Sequence, residues 1–234
     1  MKSLIFISLF VLVSVSSGAQ AKSYFDAAQM YNRMLLENGN SLMQVGSFKV
    51  KGTPYLYGGR IMGKLFVHDT REAPVYLNYN TYRQTIEYSL SLGQNEEFLK
   101  PTAVVDSFSI LKNTDLQIAN DLLFISGKYI FDNKENFYQR VFKGPRFSLF
   151  KKYKSDLGIV STNYIQADLR HFDLSYEYFY LDSAKNELKK IKPNAGFLKK
   201  EFKDKIDITS VAGNDDFSYD PENALIKLFQ VLNK

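Results

Sequence analysis

From about Phe48 onward, apolar side chains fall on every second residue, and nothing else in the chain constrains its fold as tightly. The pattern is clearest over residues 172–180, where Phe172, Leu174, Tyr176, Tyr178 and Tyr180 oppose Asp173, Ser175, Glu177 and Phe179. Successive side chains of a strand point to opposite faces, so this period builds antiparallel strands with one buried face. The same alternation runs through Ile61, Gly63, Leu65 and Val67, and again through Val75, Leu77 and Tyr79. Tyr82, Ile86, Tyr88 and Leu90 then share a face, with Arg83, Thr85, Glu87 and Ser89 on the other. Further strands are expected near residues 104–110, Leu122–Ser126, Phe137–Phe142, residues 147–153 and residues 185–191. The aromatic residues, 16 Tyr and 19 Phe with no Trp, suit a half-buried pleated surface. Turn signals separate the runs at Gly58-Gly59, Asn78-Tyr79-Asn80, Asp132-Asn133 and Gly144-Pro145.

Helical spacing is confined to the two ends. Ala27, Ala28, Tyr31, Met34 and Leu35 recur on one helical face, with Ser23 and Asp26 at the start and Glu37-Asn38-Gly39 as a stop. Residues 195–203 predict a short amphipathic helix pairing Leu198 with Phe202. The last helix is announced by Asp220 as N-cap, Pro221 in the first helical position and Glu222 at the positive end of the dipole. Its buried stripe is Leu225, Leu228, Phe229 and Leu232. The expected fold is mainly β (α+β): an antiparallel sheet, curved into a half-barrel or packed as a sandwich, with an N-terminal and a C-terminal helix.

The first 21 residues read as an address. Met1-Lys2-Ser3 is a short basic opening, residues 4–15 are apolar apart from Ser8 and Ser14, and Ala19-x-Ala21 fits a signal-peptidase site. The apolar run is too short to span a bilayer as a helix, and no later run is long enough. The reading is therefore a signal peptide over residues 1–21 and one β-rich secreted domain over residues 22–234, destined for the periplasm or the exterior. A shift in charge near residue 120 marks where two subdomains would divide. Cysteine is absent, which excludes disulfides, a lipid anchor on an N-terminal Cys, thiolate metal sites and thiol catalysis. Lys143 to Lys205 hold 14 basic and 8 acidic side chains, an excess that lysines on solvent faces explain and that an anionic glycan would also meet.

Motifs for chemistry are sparse. His68 and His171 are the only histidines, and neither a Gly-x-Ser-x-Gly elbow nor a His-Glu-x-x-His zinc motif frames them. The acidic run from Gly213 to Asp220 lacks the spacing of a calcium loop, and Asp220 already serves as a cap. Lys151-Lys152-Tyr153-Lys154 interleaves bases with an aromatic ring, as single-strand nucleic-acid binders do, but in an exported chain it reads as an edge strand with outward lysines. The row Tyr176, Tyr178 and Tyr180 is the ligand-binding candidate, able to stack sugars or face a pocket; the same row also serves as the core face of a strand. No catalytic residue, metal or cofactor is assigned.

Several segments resemble one family. Gly52-Thr53-Pro54-Tyr55-Leu56, the block from Pro74 to Tyr82 running on to Ile86-Glu87-Tyr88, and Asn136 to Val141 followed by Leu149 to Tyr153 are similar to motifs of a group of secreted Bacteroidota proteins with no assigned activity. The order of a Tyr-rich strand, a Lys-rich turn and a terminal helix agrees with that group. The resemblance implies export from a Gram-negative cell and carries no catalytic residue. The function expected is non-catalytic: binding or a structural role in the cell envelope, with an envelope protein, an anionic glycan or an apolar ligand as partner, and neither nucleic acid nor integral membrane insertion. A carrier holding a lipid-like ligand in an aromatic-lined β pocket and a hydrolase with an unrecognised site are the alternatives.

Overall fold

The structure is a computed structural model, and it describes residues 43–45, 48–67, 73–91, 98–100, 105–132, 136–159, 169–203, 205–208, 211 and 214–234. The expected signal peptide over residues 1–21, the expected helix over residues 23–37 and His68 lie outside them. In chain order the elements are β1 (Met43–Val45), β2 (Phe48–Lys51), β3 (Ile61–Phe66), β4 (Ala73–Asn80), β5 (Thr85–Ser89), β6 (Phe98–Lys100), β7 (Ser107–Ile110) and β8 (Leu122–Ser126). There follow β9 (Phe137–Phe142), β10 (Phe147–Ile159), β11 (Leu169–Asp182), β12 (Glu187–Ile191), α1 (Ala195–Phe202), α2 (Asn214–Tyr219) and α3 (Pro221–Leu232). Chain contacts separate a large unit, Thr53–Ile159 with His171–Lys234, from a smaller one, Met1–Gly52 with Val160–Arg170. The smaller unit contains the antiparallel hairpin β1–β2, in which Gln44 faces Lys49.

The large unit is built on one sheet in the order β12-β11-β10-β9-β8-β7-β3-β4-β5-β6. Two meanders, β3 to β6 and β7 to β12, meet where β3 pairs antiparallel with β7. Residue 120, the expected division point, lies in the loop of the β7–β8 hairpin, whose strands pair from Ser107–Ile125 to Ile110–Leu122. The sheet does not close into a barrel. It nevertheless curls strongly: the β4–β5 turn reaches β10, although four strands separate β4 from β10 in the sheet. There Ser155 N–H donates to Thr81 O at 3.2 Å, the Thr81 and Ser155 hydroxyls meet at 2.6 Å, and Gln84 Nε2 donates to Tyr153 O at 3.0 Å.

Rings fill the inside of the curl. Phe108 stacks on Phe124 with centroids 4.6 Å apart, and Tyr79 meets Phe108, Phe124 and Phe137 at 5.3, 5.6 and 5.9 Å. Burial of such rings dominates the packing energy. Gly63 of β3 is close to both flanking strands; a Cβ there would lie 2.4 Å from both Ser109 O of β7 and Leu77 Cδ2 of β4.

The helices cover the other end of the same sheet face. Phe147 and Leu149 of β10, with Tyr178 and Tyr180 of β11, pack against Leu198 and Phe202 of α1 and Leu225, Leu228 and Phe229 of α3. Asp220 caps α3 as its sequence implies, accepting from Asn223 N–H at 3.1 Å. At the far end of α3, Asn233 Oδ1 accepts from Arg146 N–H and Phe147 N–H at 3.0 and 2.8 Å. Its Nδ2 donates to Phe147 O and Phe229 O at 3.0 and 2.6 Å. Gly144 makes room for this staple, since a Cβ there would lie 2.4 Å from Asn233 Nδ2.

Some expectations are corrected. The Asn78-Tyr79-Asn80 turn is the end of strand β4; the reversal is at residues 81–84, where Asn80 Oδ1 accepts from the N–H groups of Tyr82 and Arg83. Tyr82 and Leu90 are exposed, whereas Glu87, expected on the solvent side, is 3% exposed. Its carboxylate accepts from Tyr55 Oη at 2.6 Å, because the segment around Tyr55 bridges to Asn80 and covers that face. The acidic run from Gly213 to Asp220 contains helix α2 and the cap of α3. The Lys-Lys-Tyr-Lys segment lies in β10, an interior strand between β9 and β11, not at an edge.

Candidate functional site

Alternation along β10 puts Phe147, Leu149, Lys151, Tyr153 and Ser155 on one face. A bulge in β9, where Leu149 pairs with Phe142 and Phe150 with Arg140, is absorbed on the partner strand and leaves that alternation intact. Lys151 therefore lies at the boundary between the helix-covered half of the face and the curled half. Its Nζ lies 2.8 Å from Glu222 Oε2, in the first turn of α3. Three phenol rings surround the ammonium: Tyr176, Tyr153 and Tyr178, with centroids 4.3, 5.1 and 5.7 Å from Nζ. A cation over ring faces is stabilised by their quadrupoles, more so where water is scarce, and the Lys151 side chain is only 14% exposed.

Two of the surrounding phenols are fixed by polar partners. Tyr178 Oη donates to Glu222 Oε2 at 3.2 Å and Tyr153 Oη donates to Gln139 Oε1 at 2.9 Å. Burial pushes the Tyr178 and Tyr153 phenols well above their ordinary range, and the Glu222 carboxylate adds to the effect. Tyr57, half-buried nearby, is pushed up to about 12, chiefly by burial and by Tyr153, with Lys151 opposing. These phenols stay protonated, and those of Tyr178 and Tyr153 act as hydrogen-bond donors. The Lys151–Glu222 pair is neutral as a unit and serves as a paired donor and acceptor.

Of the tyrosine row singled out in the sequence, Tyr178 and Tyr180 are 3% and 4% exposed beneath the helices. Tyr180 Oη is hydrogen-bonded to Glu201 of α1. Tyr176 is 49% exposed, past the end of α3, and is the member open to a ligand. It continues an exposed strip along β11: Leu174 is 50% exposed, and Phe172 meets Tyr82 of the β4–β5 turn, itself 45% exposed, at 5.5 Å. Two hollows lie elsewhere, one of about 710 Å³ open at residues 112–119 and one of about 210 Å³ between α2 and α3.

Of the two histidines, His171 is described and does not join this cluster. His171 Nε2 lies 2.5 Å from Asp173 Oδ1, close beside Gly158 on β10. Among the described residues no three acidic or histidine side chains converge to hold a metal ion, and no helix is long and apolar enough to cross a membrane. Lys151 and Glu222 were missed as site residues because each has an ordinary local reading, a solvent lysine and a dipole-matched acid. The available signal was the apolar alternation at Phe147 and Leu149, which puts Lys151 on the inward side. Compared with models of protein families, with curated proteins and with solved structures, the chain matches none.

Proposed function

We propose that this is an exported cell-envelope protein that binds a ligand without transforming it, and that its recognition surface is the strip from Tyr82 through Leu174 to Tyr176 beside Lys151 and Glu222. The observation that carries this reading is the division of the tyrosine row. Two members are sealed as core, while Tyr176 stands half-exposed against an ion pair on a rigid sheet. Exposed aromatic rings beside polar groups of fixed geometry are the makings of a binding surface. Burial keeps the Tyr153 and Tyr178 phenols protonated, so they serve the site as fixed hydrogen-bond donors. The packed rings inside the curl favour surface recognition over the lipid-carrier alternative.

The test has two parts. Cell fractionation and N-terminal sequencing are expected to find the chain in the envelope, beginning at Lys22. Pull-down from that fraction is expected to retain a component that a Tyr82→Ala, Tyr176→Ala variant loses. A chain retained in the cytoplasm with residues 1–21 attached, or equal retention by the variant, overturns the proposal.

A further inference from the structure

Resting on that reading of the strip as a binding surface, we infer that its ligand is a neutral glycan, lying along β11 with sugar rings against Tyr82 and Tyr176 and hydroxyls shared between Lys151 and Glu222. Residues 172 and 176 are four apart on one strand, about 13 Å at the rise of extended chain. The exposed rings of Tyr82, seated on Phe172, and of Tyr176 stand at the two ends of that span, with Leu174 between them. This arrangement offers flat apolar platforms at an interval and suits a linear ligand of several rings.

Charge decides which glycan. Lys151 and Glu222 lie 2.8 Å apart and their side chains are 14% and 33% exposed. A uronate meeting Lys151 must also meet the Glu222 carboxylate, and a cationic group meeting Glu222 must meet the ammonium; each gains little over water. A neutral hydroxyl pair satisfies both, one oxygen accepting from Nζ and the neighbouring hydroxyl donating to the carboxylate. Charge-assisted hydrogen bonds of this kind are about twice as strong as neutral ones. The site thus selects against the anionic glycan that the lysine excess of the chain suggests. A peptide is a poorer fit, because a ligand lying on the sheet face meets side chains and finds no strand edge for its backbone.

The experiment is affinity electrophoresis of the mature chain in native gels containing hydroxyethyl cellulose, dextran or mannan, with alginate as the anionic comparison. Retardation is expected in at least one neutral gel and is expected to persist at about 0.5 M salt, where interactions between exposed charges are screened. Tyr176→Ala and Tyr82→Ala, both at exposed positions and so expected to fold, should each weaken it about three- to tenfold, the range for loss of one stacked ring. Glu222→Gln should also weaken it, since the amide replaces one charged acceptor. Circular dichroism and thermal melting of each variant establish that the fold is retained. Retardation in none of the neutral gels, retardation in alginate alone that salt abolishes, or unchanged affinity in both tyrosine variants overturns the inference. Reducing ends released from a retained polysaccharide would instead sink the non-catalytic reading and leave the sugar class standing. An envelope protein captured through the strip, with no gel retarding the chain, does the reverse.

Discussion

Replacing Glu222 and Lys151 singly and together tests how the centre of the site is held. The charges lie 2.8 Å apart, so at an effective dielectric of about 20 their gross attraction is about 6 kcal/mol. Removing both groups from water offsets most of that, so the pair itself contributes little net stability. Losing one partner is a different matter. In Glu222→Ala the Lys151 ammonium keeps ring faces around it but loses its carboxylate, while Tyr178 Oη loses its acceptor and α3 an acid in its first turn. We expect this variant to lose about 2.5 kcal/mol, between a charge-assisted hydrogen bond and a broken buried pair. Lys151→Met keeps the stem packed against the tyrosines and leaves Glu222, the more exposed partner, able to hydrate; it should lose about 0.5 kcal/mol. The double variant should lose about 1 kcal/mol, giving a coupling near 2 kcal/mol. Urea unfolding followed by far-ultraviolet circular dichroism reads this directly: with a slope of about 2 kcal/mol/M, Glu222→Ala shifts the midpoint by about 1.2 M. A coupling below about 0.3 kcal/mol, within the error of independent sites, would refute the picture of one desolvated unit.

Other consequences follow from the packing. Gly63→Ala drives a methyl group into Ser109 O and Leu77 at 2.4 Å, and a loss of about 3 kcal/mol is expected in the same unfolding assay; an unchanged midpoint would show that β3 can move away from β7. Asn233→Ala removes three hydrogen bonds that tie the end of α3 to the start of β10, and a fourth to Phe229 O of α3 itself, and should lose about 2–3 kcal/mol. Asn233→Asp keeps the acceptor but loses both donated bonds, so a variant as stable as the parent would refute the staple. Alkaline titration tests the phenols: burial raises the folded pKa of Tyr57 from 10.0 to about 12 and shifts Tyr79, Tyr153 and Tyr178 the same way. Their contribution is therefore complete below pH 10.0 and, for Tyr57, is lost as the pH rises to about 12, because the unfolded chain ionises first. Phenolate absorbance should show these tyrosines resisting ionisation near pH 10 until the fold is lost; all 16 titrating together there with the fold intact would contradict it.

By itself the sequence determined the local elements. The strands expected near Leu122–Ser126 and Phe137–Phe142 have those bounds, and Asp220-Pro221-Glu222 announced α3, because strand-forming runs and helix caps are written in neighbouring residues. It also made Tyr178 and Tyr180 candidates for a ligand or for the core. Tertiary structure decided between those roles. Which tyrosine is covered depends on where the first turn of α3 lies over the sheet, and α3 begins more than fifty residues after β11 starts. Glu87 is buried because Tyr55, far back in the chain, lies over its face, and the Lys-Lys-Tyr-Lys segment is interior because β9 and β11 flank it. The meeting of Lys151 and Glu222, 71 residues apart, is likewise a product of helix-on-sheet packing. Periodicity records which way a side chain points from its own backbone; what it meets there is set by chain folding over long separations, and the candidate site consists of such meetings.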